Sequence, residues 1–206
     1  MRLLLATRNV KKLDELRRIL ASSPELHTVE LVGLDDVETY PEAPEVGLTF
    51  AENALMKARE GVRYTGLPTV ADDSGLAVDA LSGMPGVFSA RWSGRHGDDQ
   101  ANLDLLLGQI GDVPDEHRGG AFICAAALVL PPTSGSTDLR EHLVHGKMPG
   151  RVLRSGRGTG GFGYDPIFIA EGQTRTNAEL EPAEKDAISH RGKAFRALAA
   201  VIAKAL

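Results

Sequence analysis

An unbroken apolar run at residues 121–130, which contains the chain's single cysteine, Cys124, constrains the fold most. A short apolar run bounded by turn residues is typical of a strand that is buried in a sheet. Residues 122–130 are therefore predicted to form a central strand, with residues 139–145 returning antiparallel after the polar turn at 131–137. Because one cysteine cannot form an internal disulfide, Cys124 is expected to be a buried thiol in a reducing compartment; a catalytic thiol is the less favoured alternative.

Composition and charge narrow the class of protein. The chain has 206 residues, 42% of them hydrophobic and 25% charged, so it is long enough for a sizeable core and too apolar for disorder. A formal net charge of -5 argues against a general nucleic-acid scaffold. No stretch reaches the length of a membrane span, and the start lacks a signal-peptide pattern, so we expect a cytoplasmic protein without a membrane partner. No linker separates independent domains, so residues 1–206 are predicted to form one domain.

The junction between the first strand and the first helix is suited to an anion. Residues 2–6 are predicted to form a buried strand, and an amphipathic helix starts at Val10 and stops at residues 22–24. Unpaired N–H groups at the helix start favour a phosphate, to which Thr7 and Asn9 can add hydrogen bonds and Lys12 a point charge. On these residues alone it is simpler that Asn9 caps the helix and that the lysines are solvated.

Two adjacent carboxylates, Asp72 and Asp73, follow a β-prone run at residues 69–71. The strand is predicted to end there, with Gly75 taking the positive φ of a sharp exit. Both carboxylates would then lie at the rim of a sheet, where a divalent cation would relieve their repulsion. A surface Asp-Asp turn is the commoner origin of such a pair.

The segment before this strand carries further polar groups. The proline-rich loop at residues 40–47 contains Glu42 and Glu45, and a capping box at Thr49 opens a helix toward residue 64. Asn53 and Lys57, four residues apart, share one face of that helix. They are relevant only if that face looks toward the Asp72–Asp73 pair.

A glycine cluster at residues 156–163 can be read as G-x-G-x-x-G. The dinucleotide interpretation is rejected, because that motif needs a helix directly after it, whereas residues 164–169 are β-prone and contain a proline. The remaining interpretation is a loop presenting Phe162, Tyr164 and Asp165 as stacking faces and a hydrogen-bond acceptor for a purine. A turn with buried aromatic residues explains the pattern equally well.

The C-terminal part is predicted to form two helices. The first opens at residues 181–182 and carries Lys185; Ser189 can cap the second. His190 and Arg191 then lie on the first turn, where a cation opposes the helix dipole unless an electron-rich group of a ligand lies there.

Taken together, the sequence resembles the inosine triphosphatase family in its bacterial branch. Six blocks carry the resemblance in family order: ATRNVKK (6–12), GLTFAENA with KAR (47–54, 57–59), ADDSGL (71–76), PGVFSAR (85–91), GGFGYDPIF (160–168), and AEL with EK and SHRG (178–180, 184–185, 189–192). The resemblance implies an elongated, two-lobed α/β fold around a long mixed β-sheet flanked by helices, with the active site in the cleft, and a homodimer. It also implies Mg²⁺-dependent hydrolysis of ITP, dITP and XTP to the monophosphate and pyrophosphate.

The resemblance assigns roles residue by residue. Asp73 would be the general base and would bind the metal with Glu45, while Lys57 and Asp72 would position phosphate or water. The substrate would be bound by Thr7, Arg8, Asn9, Val10, Lys11, Lys12, Ser74, Phe162, Gly163, Tyr164, Asp165, Lys185, His190 and Arg191. Phe162 would stack on the base, and Arg191 would face the 6-keto oxygen, so that adenine would leave a buried charge unpaired.

Two departures from the family pattern and two alternatives remain. Arg8 stands at a variable position, and Met148 stands where many bacterial members carry an aromatic residue, which bears only on local packing. One alternative is a related pyrophosphatase acting on pyrimidine or modified bases. The other is a nucleotide-binding regulator without turnover, which would have no use for a metal between Glu45 and Asp73.

Overall fold

The computed structural model describes residues 1–41 and 45–206; Glu42 lies outside the described residues. In those ranges the chain forms six strands and five α-helices. The strands are β1 (Arg2–Leu5), β2 (Glu30–Val32), β3 (Thr69–Val78), β4 (Gly119–Leu130), β5 (Arg140–Val152) and β6 (Phe168–Ala170). The helices are α1 (Val10–Ala21), α2 (Phe50–Thr65), α3 (Asp99–Gln109), α4 (Pro182–Ile188) and α5 (His190–Ala205).

All six strands belong to one mixed sheet in the order β2-β1-β3-β4-β5-β6. β1 runs parallel to β2 and to β3, with Leu4 opposite Thr69, whereas β5 and β6 are antiparallel, with Gly150 opposite Ala170. The apolar run that contains Cys124 is β4, in the middle of the order, and β5 is its neighbour, as predicted. The α/β fold with a mixed sheet is therefore confirmed.

The chain divides into two compact units, and β3, β4 and β5 each contribute residues to both. Unit 1 comprises Met1–Asp73, Cys124–Gly146 and Arg191–Leu206, and unit 2 comprises Ser74–Ile123 and Lys147–His190. The predicted cleft between two lobes stays a prediction.

In unit 1, helices cover both faces of the sheet. On one face, strand residues such as Leu3, Val70 and Cys124 pack with Leu16 of α1 and Phe195 of α5. On the other face, small side chains of the strands pack against α2; they include Ala71, Ala125, Ala54 and Ala58. Small residues on this second face let α2 lie close to β3, the strand that carries the acidic pair.

Unit 2 has its own core, in which α3 packs against strand residues. Leu106 of α3 and Ile110, which follows the helix, are fully buried together with Leu76, Phe168 and Val78. Met148 lies in this core and is 1% exposed. None of the helices in residues 1–41 and 45–206 has the length and apolar character needed to cross a membrane.

The prediction that β3 ends at Ala71 is wrong. The strand continues to Val78, so both aspartates lie within it rather than at a rim. Gly75 does not supply a positive φ; a Cβ there would collide with the carbonyl oxygen of Gly86 and the side chain of Ser89. Close backbone approach, not a turn, accounts for this glycine.

Candidate active site

The turn between β1 and α1 uses its polar side chains to start the helix. Asn9 Oδ1 accepts a hydrogen bond from Lys12 N at 3.1 Å, and Thr7 Oγ1 accepts one from Asn9 N at 3.3 Å. Val10 is 69% exposed, and Lys11 is exposed as well. The simpler interpretation, that Asn9 caps the helix, is therefore correct. The turn nevertheless keeps an exposed helix start without an acidic residue in its first turn.

The expectation of a solvated Lys12 is wrong. Its Nζ donates to Asp72 Oδ2 at 3.2 Å, and its side chain is only 15% exposed. Arg8 also has a defined partner, since its Nη2 donates to the carbonyl oxygen of Tyr40 at 2.9 Å. That contact connects the turn to the segment that precedes Glu45.

Asp73 faces α2. Asn53 Nδ2 donates to Asp73 Oδ2 at 3.0 Å, and Lys57 Nζ lies 3.4 Å from Asp73 Oδ1. Lys57 Nζ also forms an ion pair with Glu45 Oε1, and Asn53 Oδ1 accepts from Gly47 N at 2.8 Å. The condition set for Asn53 and Lys57, that their helix face should look toward the acidic pair, is therefore met for Asp73.

The electrostatics around Asp73, Lys57 and Glu45 suit a role of Asp73 as a general base. Burial raises the pKa of Asp73; Lys57 lowers it, but the net direction is upward, and Glu45 adds to the rise. Burial lowers the pKa of Lys57, but the carboxylates of Asp73 and Glu45 more than offset it and hold that pKa above its usual value. Asp73 is thus a carboxylate with raised proton affinity beside a stable cation.

The pair Glu45 and Asp73 offers two carboxylates as oxygen ligands for a divalent cation. Both carboxylates contact the same ammonium group, so one cation already lies within reach of both. Among the described residues there is no group of three or more His, Cys, Asp or Glu side chains arranged to hold a metal.

Asp72 belongs to a different cluster. Its Oδ2 accepts from Lys12 Nζ and lies 3.3 Å from Arg191 Nε, and Arg191 Nη1 in turn pairs with Glu15. Burial raises the pKa of Asp72, but Lys12 and Arg191 outweigh it and hold the pKa well below its usual range. Burial of the Cys124 thiol, 4.0 Å from Asp72 Oδ2, raises its pKa, as expected of an inert cysteine.

Glu15, a charged residue of the amphipathic helix α1, is buried. Glu15 is 2% exposed and shares a side of the helix with Lys12 and Ile19. Its partner Arg191 is also 2% exposed. The groups beside Arg191 are the protein's own carboxylates, whereas the sequence suggested an electron-rich group of a ligand there. The predicted contact of Arg191 with the base stays a prediction.

In unit 2, Asp165 anchors the loop that carries Phe162. Asp165 Oδ2 accepts from Phe162 N at 2.9 Å and from Lys185 Nζ at 2.7 Å, and Asp165 Oδ1 accepts from Asn177 Nδ2 at 3.2 Å. Lys185 Nζ lies 4.9 Å from the centroid of the Phe162 ring. Phe162, half-buried, is thus held beside a cation, and this arrangement defines a flat face with a charged edge.

Two other residues of the predicted site for the purine base, Tyr164 and His190, are buried in unit 2. Tyr164 is 4% exposed and donates its hydroxyl to the carbonyl oxygen of Ser89 at 2.9 Å, so its ring is part of the core and does not supply the second stacking face. His190 is 3% exposed and stacks on Phe122 with ring centroids 4.9 Å apart. Ser74, half-buried, lies within β3 next to Asp73.

One residue that orders this loop was missed. Gly163 N donates to Asp99 Oδ2 at 3.0 Å, and Gly163 has a φ of 61°. Asp99 is the first residue of α3, and its neighbour Asp98 caps that helix. Because Asp99 is distant in sequence, no local pattern could link it to the loop.

Comparison with known proteins identifies relatives over the whole chain. The sequence pattern of the Ham1 family matches residues 3–201. The dITP/XTP pyrophosphatase of Streptomyces coelicolor is 60% identical over 205 residues, covering 100% of this chain and 98% of the relative. The crystal structure of the nucleoside-triphosphatase (dITP/XTP pyrophosphatase) from Mycobacterium abscessus is 58% identical, with a TM-score of 0.75 over 96% of this chain and 98% of that one. A HAM1 protein from Coxiella burnetii is 38% identical, with a TM-score of 0.84 over 99% of each chain.

Proposed function

Because the chain belongs to the Ham1 family, we propose that it hydrolyses non-standard purine nucleoside triphosphates, ITP, dITP and XTP, to the monophosphate and pyrophosphate. The names of the relatives, dITP/XTP pyrophosphatase, give the reaction and the substrate class. The observation that carries the proposal to this chain is the Asp73 cluster. A buried carboxylate of raised pKa lies beside a lysine and a second carboxylate, as activation of water at a phosphate requires.

In this proposal the triphosphate binds at the turn before α1. Thr7, Asn9 and the backbone N–H groups from Arg8 to Lys12 surround an exposed helix start, which favours an anion. Lys12 and Lys57 add positive charge, and both are already held by carboxylates of β3. These fixed cations would stabilise charge that grows on phosphate oxygens during attack.

Glu45 and Asp73 would hold Mg²⁺ together with phosphate oxygens and waters. When bound, the metal supplies positive charge to the polyphosphate and lowers the pKa of a coordinated water. Asp73 would accept the proton of the attacking water. Asn53 would orient Asp73, because its amide donates to one carboxylate oxygen and leaves the other toward Lys57. Asp72, with its depressed pKa, would stay ionised and position Lys12.

The purine base of the nucleotide would be recognised by residues of unit 2. Phe162 supplies the stacking face, and Lys185, held by Asp165, supplies a donor for the 6-keto oxygen that distinguishes hypoxanthine and xanthine from adenine. His190 and Arg191 are included from the family resemblance. Adenine would leave this donor unpaired, and an unpaired donor costs roughly 1–3 kcal/mol of binding free energy. That difference is enough for 6-keto purine nucleotides to be hydrolysed clearly faster than adenine nucleotides.

The test is pyrophosphate release from a panel of nucleoside triphosphates with and without Mg²⁺. We expect ITP, dITP and XTP to be hydrolysed much faster than ATP, and only with Mg²⁺. Fastest turnover of modified pyrimidine nucleotides would refute the base assignment, and nucleotide binding without turnover would indicate a regulator instead. The homodimer and the cytoplasmic location stay predictions, which gel filtration and cell fractionation would test.

A further inference from the structure

A second charged site lies in unit 2, in a cavity of about 340 Å³. Its lining includes three arginines and three neutral polar residues: Arg151, Arg154, Arg157, Ser155, Gln173 and Thr174. We call these six residues the arginine groove. None of the described residues that line the cavity is acidic, and none is among those assigned to the nucleotide above.

The backbone places the three arginines together. Val152, the last residue of β5, is 2% exposed and packs in the core of unit 2. Because neighbouring residues of a strand point to opposite faces, Arg151 faces outward. β5 pairs with β6, so the segment after β6 brings Gln173 and Thr174 to the same cavity.

Two of the arginines are fixed before any ligand arrives. Arg154 donates from Nε to Asp115 Oδ1 at 2.8 Å, and from Nη1 and Nη2 to the carbonyl oxygens of Gly111 and Val113 at 3.0 and 3.1 Å. Arg157 Nη2 donates to the carbonyl oxygen of Thr174 at 3.1 Å, and it lies 3.7 Å from Glu179 Oε2. A guanidinium carries five N–H donors, so both side chains retain donors for a ligand.

The third arginine, Arg151, is exposed, and its guanidinium has no partner within residues 1–41 and 45–206. Two carboxylates, Asp115 and Glu179, oppose the three guanidinium groups, which leaves an excess of positive charge. Arginine forks match phosphate oxygens in geometry and charge. A volume of about 340 Å³ is at the small end of ligand pockets, as suits a compact anion.

We propose that the arginine groove binds a small phosphate-bearing anion with two or more negative charges, held by Arg154 and Arg157 as fixed cations and by the exposed Arg151 as the third cation. Ser155 adds a hydroxyl donor at the rim. The proposal rests on residues of unit 2 alone and does not depend on the proposed reaction.

The probe is inorganic pyrophosphate, titrated into the full-length protein with a chelator and without metal, at constant ionic strength. NMR signals of the arginine Nε–H groups report on this groove separately from any other anion site. We expect saturable shifts of the Arg154 and Arg157 signals, and roughly tenfold weaker binding in Arg151→Gln, because one charge-assisted contact is lost.

Arg140→Gln is the matched control, since Arg140 is also an exposed arginine of β5 but does not line the cavity. It should titrate like the unsubstituted protein. Equal binding by Arg151→Gln, or shifts of the Arg154 and Arg157 signals that never saturate, would overturn the proposal. Unfolding curves of both variants check that neither substitution perturbs the fold.

Discussion

Asp72 and Asp73 are adjacent in sequence, yet their carboxylates lie on opposite faces of β3. Asp72 contacts Lys12 of α1 and Arg191 of α5, whereas Asp73 contacts Asn53 and Lys57 of α2. The residues before them follow the same alternation, because Val70 packs in the core on the Asp72 side and Ala71 in the core on the Asp73 side.

Because they lie on opposite faces, the two carboxylates have different surroundings and opposite pKa shifts. The Asp72 pKa is lowered, since Lys12 and Arg191 outweigh the effect of burial, and the Asp73 pKa is raised, chiefly by burial. Environments that push the pKa values of two acids apart are typical of sites in which one group stays ionised and the other exchanges protons. Asp72 then acts as a fixed counter-ion and Asp73 as the base.

Asp73→Asn tests this assignment. Asparagine keeps the size and can keep one hydrogen bond, but it cannot accept a proton. Turnover of ITP should fall by roughly 10²-fold or more, while nucleotide binding without Mg²⁺ should not weaken. Asp104→Asn, an exposed position on α3, serves as the control and should leave kcat unchanged. Retention of most turnover by Asp73→Asn would reject the role of base.

Lys57→Met should move the acid limb of the kcat/KM profile to higher pH. Lys57 lowers the pKa of Asp73, so its removal lets that pKa rise further, and a base must be deprotonated to act. Asn53→Ala removes only a neutral donor and should cause a smaller shift in the same direction. A shift to lower pH in Lys57→Met, or none, would show that Asp73 does not control this limb.

The alternation along β3 explains what the sequence could and could not predict. The apolar run of β4, the start of α1 and the capping box of α2 are local signals, and each element formed where it was predicted. β3 was cut short because Asp72, Asp73 and Gly75 are poor strand residues when judged locally. In the structure the aspartates are paired with helices on both faces, and Gly75 is required by close approach of Gly86.

Burial of charge was the second feature hidden from the sequence. Glu15 and Arg191 are 176 positions apart, and neither residue is apolar, so helical periodicity gives no signal that both are buried. Only the packing of α1 and α5 on one face of the sheet brings them together. Loop contacts such as Asp99 with Gly163 escape prediction for the same reason.

Arg191→Met should destabilise the protein strongly. The substitution leaves Glu15 and Asp72 buried without their shared cation, and breaking a buried pair costs about 3–5 kcal/mol. Arg59→Met, which removes one partner of the half-exposed Arg59–Glu141 pair, should cost about 1 kcal/mol or less. Urea unfolding compares the two. If both variants lost a similar amount of unfolding free energy, the buried network around Arg191 would contribute no more to stability than a surface ion pair.

Selectivity provides a second readout for Arg191, provided that the variant is assayed where it remains folded. If its guanidinium also reads the 6-keto oxygen, Arg191→Met should narrow the rate ratio between ITP and ATP. An unchanged ratio with reduced stability would restrict Arg191 to holding Asp72.

Because of Asp72, the free energy of unfolding should fall as the pH is lowered in the acidic range. Its folded-state pKa is lowered below the unfolded value of about 4, so its stabilising contribution is complete above that pH and is lost as the pH falls further. The difference in unfolding free energy between the unsubstituted protein and Asp72→Asn should therefore shrink as the pH falls from about 4 to about 3, by up to about 1.4 kcal/mol per pH unit. A constant difference across this range would contradict a depressed pKa.

Gly75→Ala tests whether close approach, rather than backbone freedom, selects glycine in β3. An added methyl group would meet the carbonyl oxygen of Gly86 and the hydroxyl of Ser89, and such overpacking costs roughly 1–3 kcal/mol. Gly108→Ala is the matched control, because Gly108 lies in α3 with open space around the position of a Cβ. It should stabilise the protein by up to about 1 kcal/mol through helix propensity. The melting temperatures of the two variants should shift in opposite directions, down for Gly75→Ala and up for Gly108→Ala. An unchanged melting temperature for Gly75→Ala would mean that the backbone of β3 can move away from Gly86.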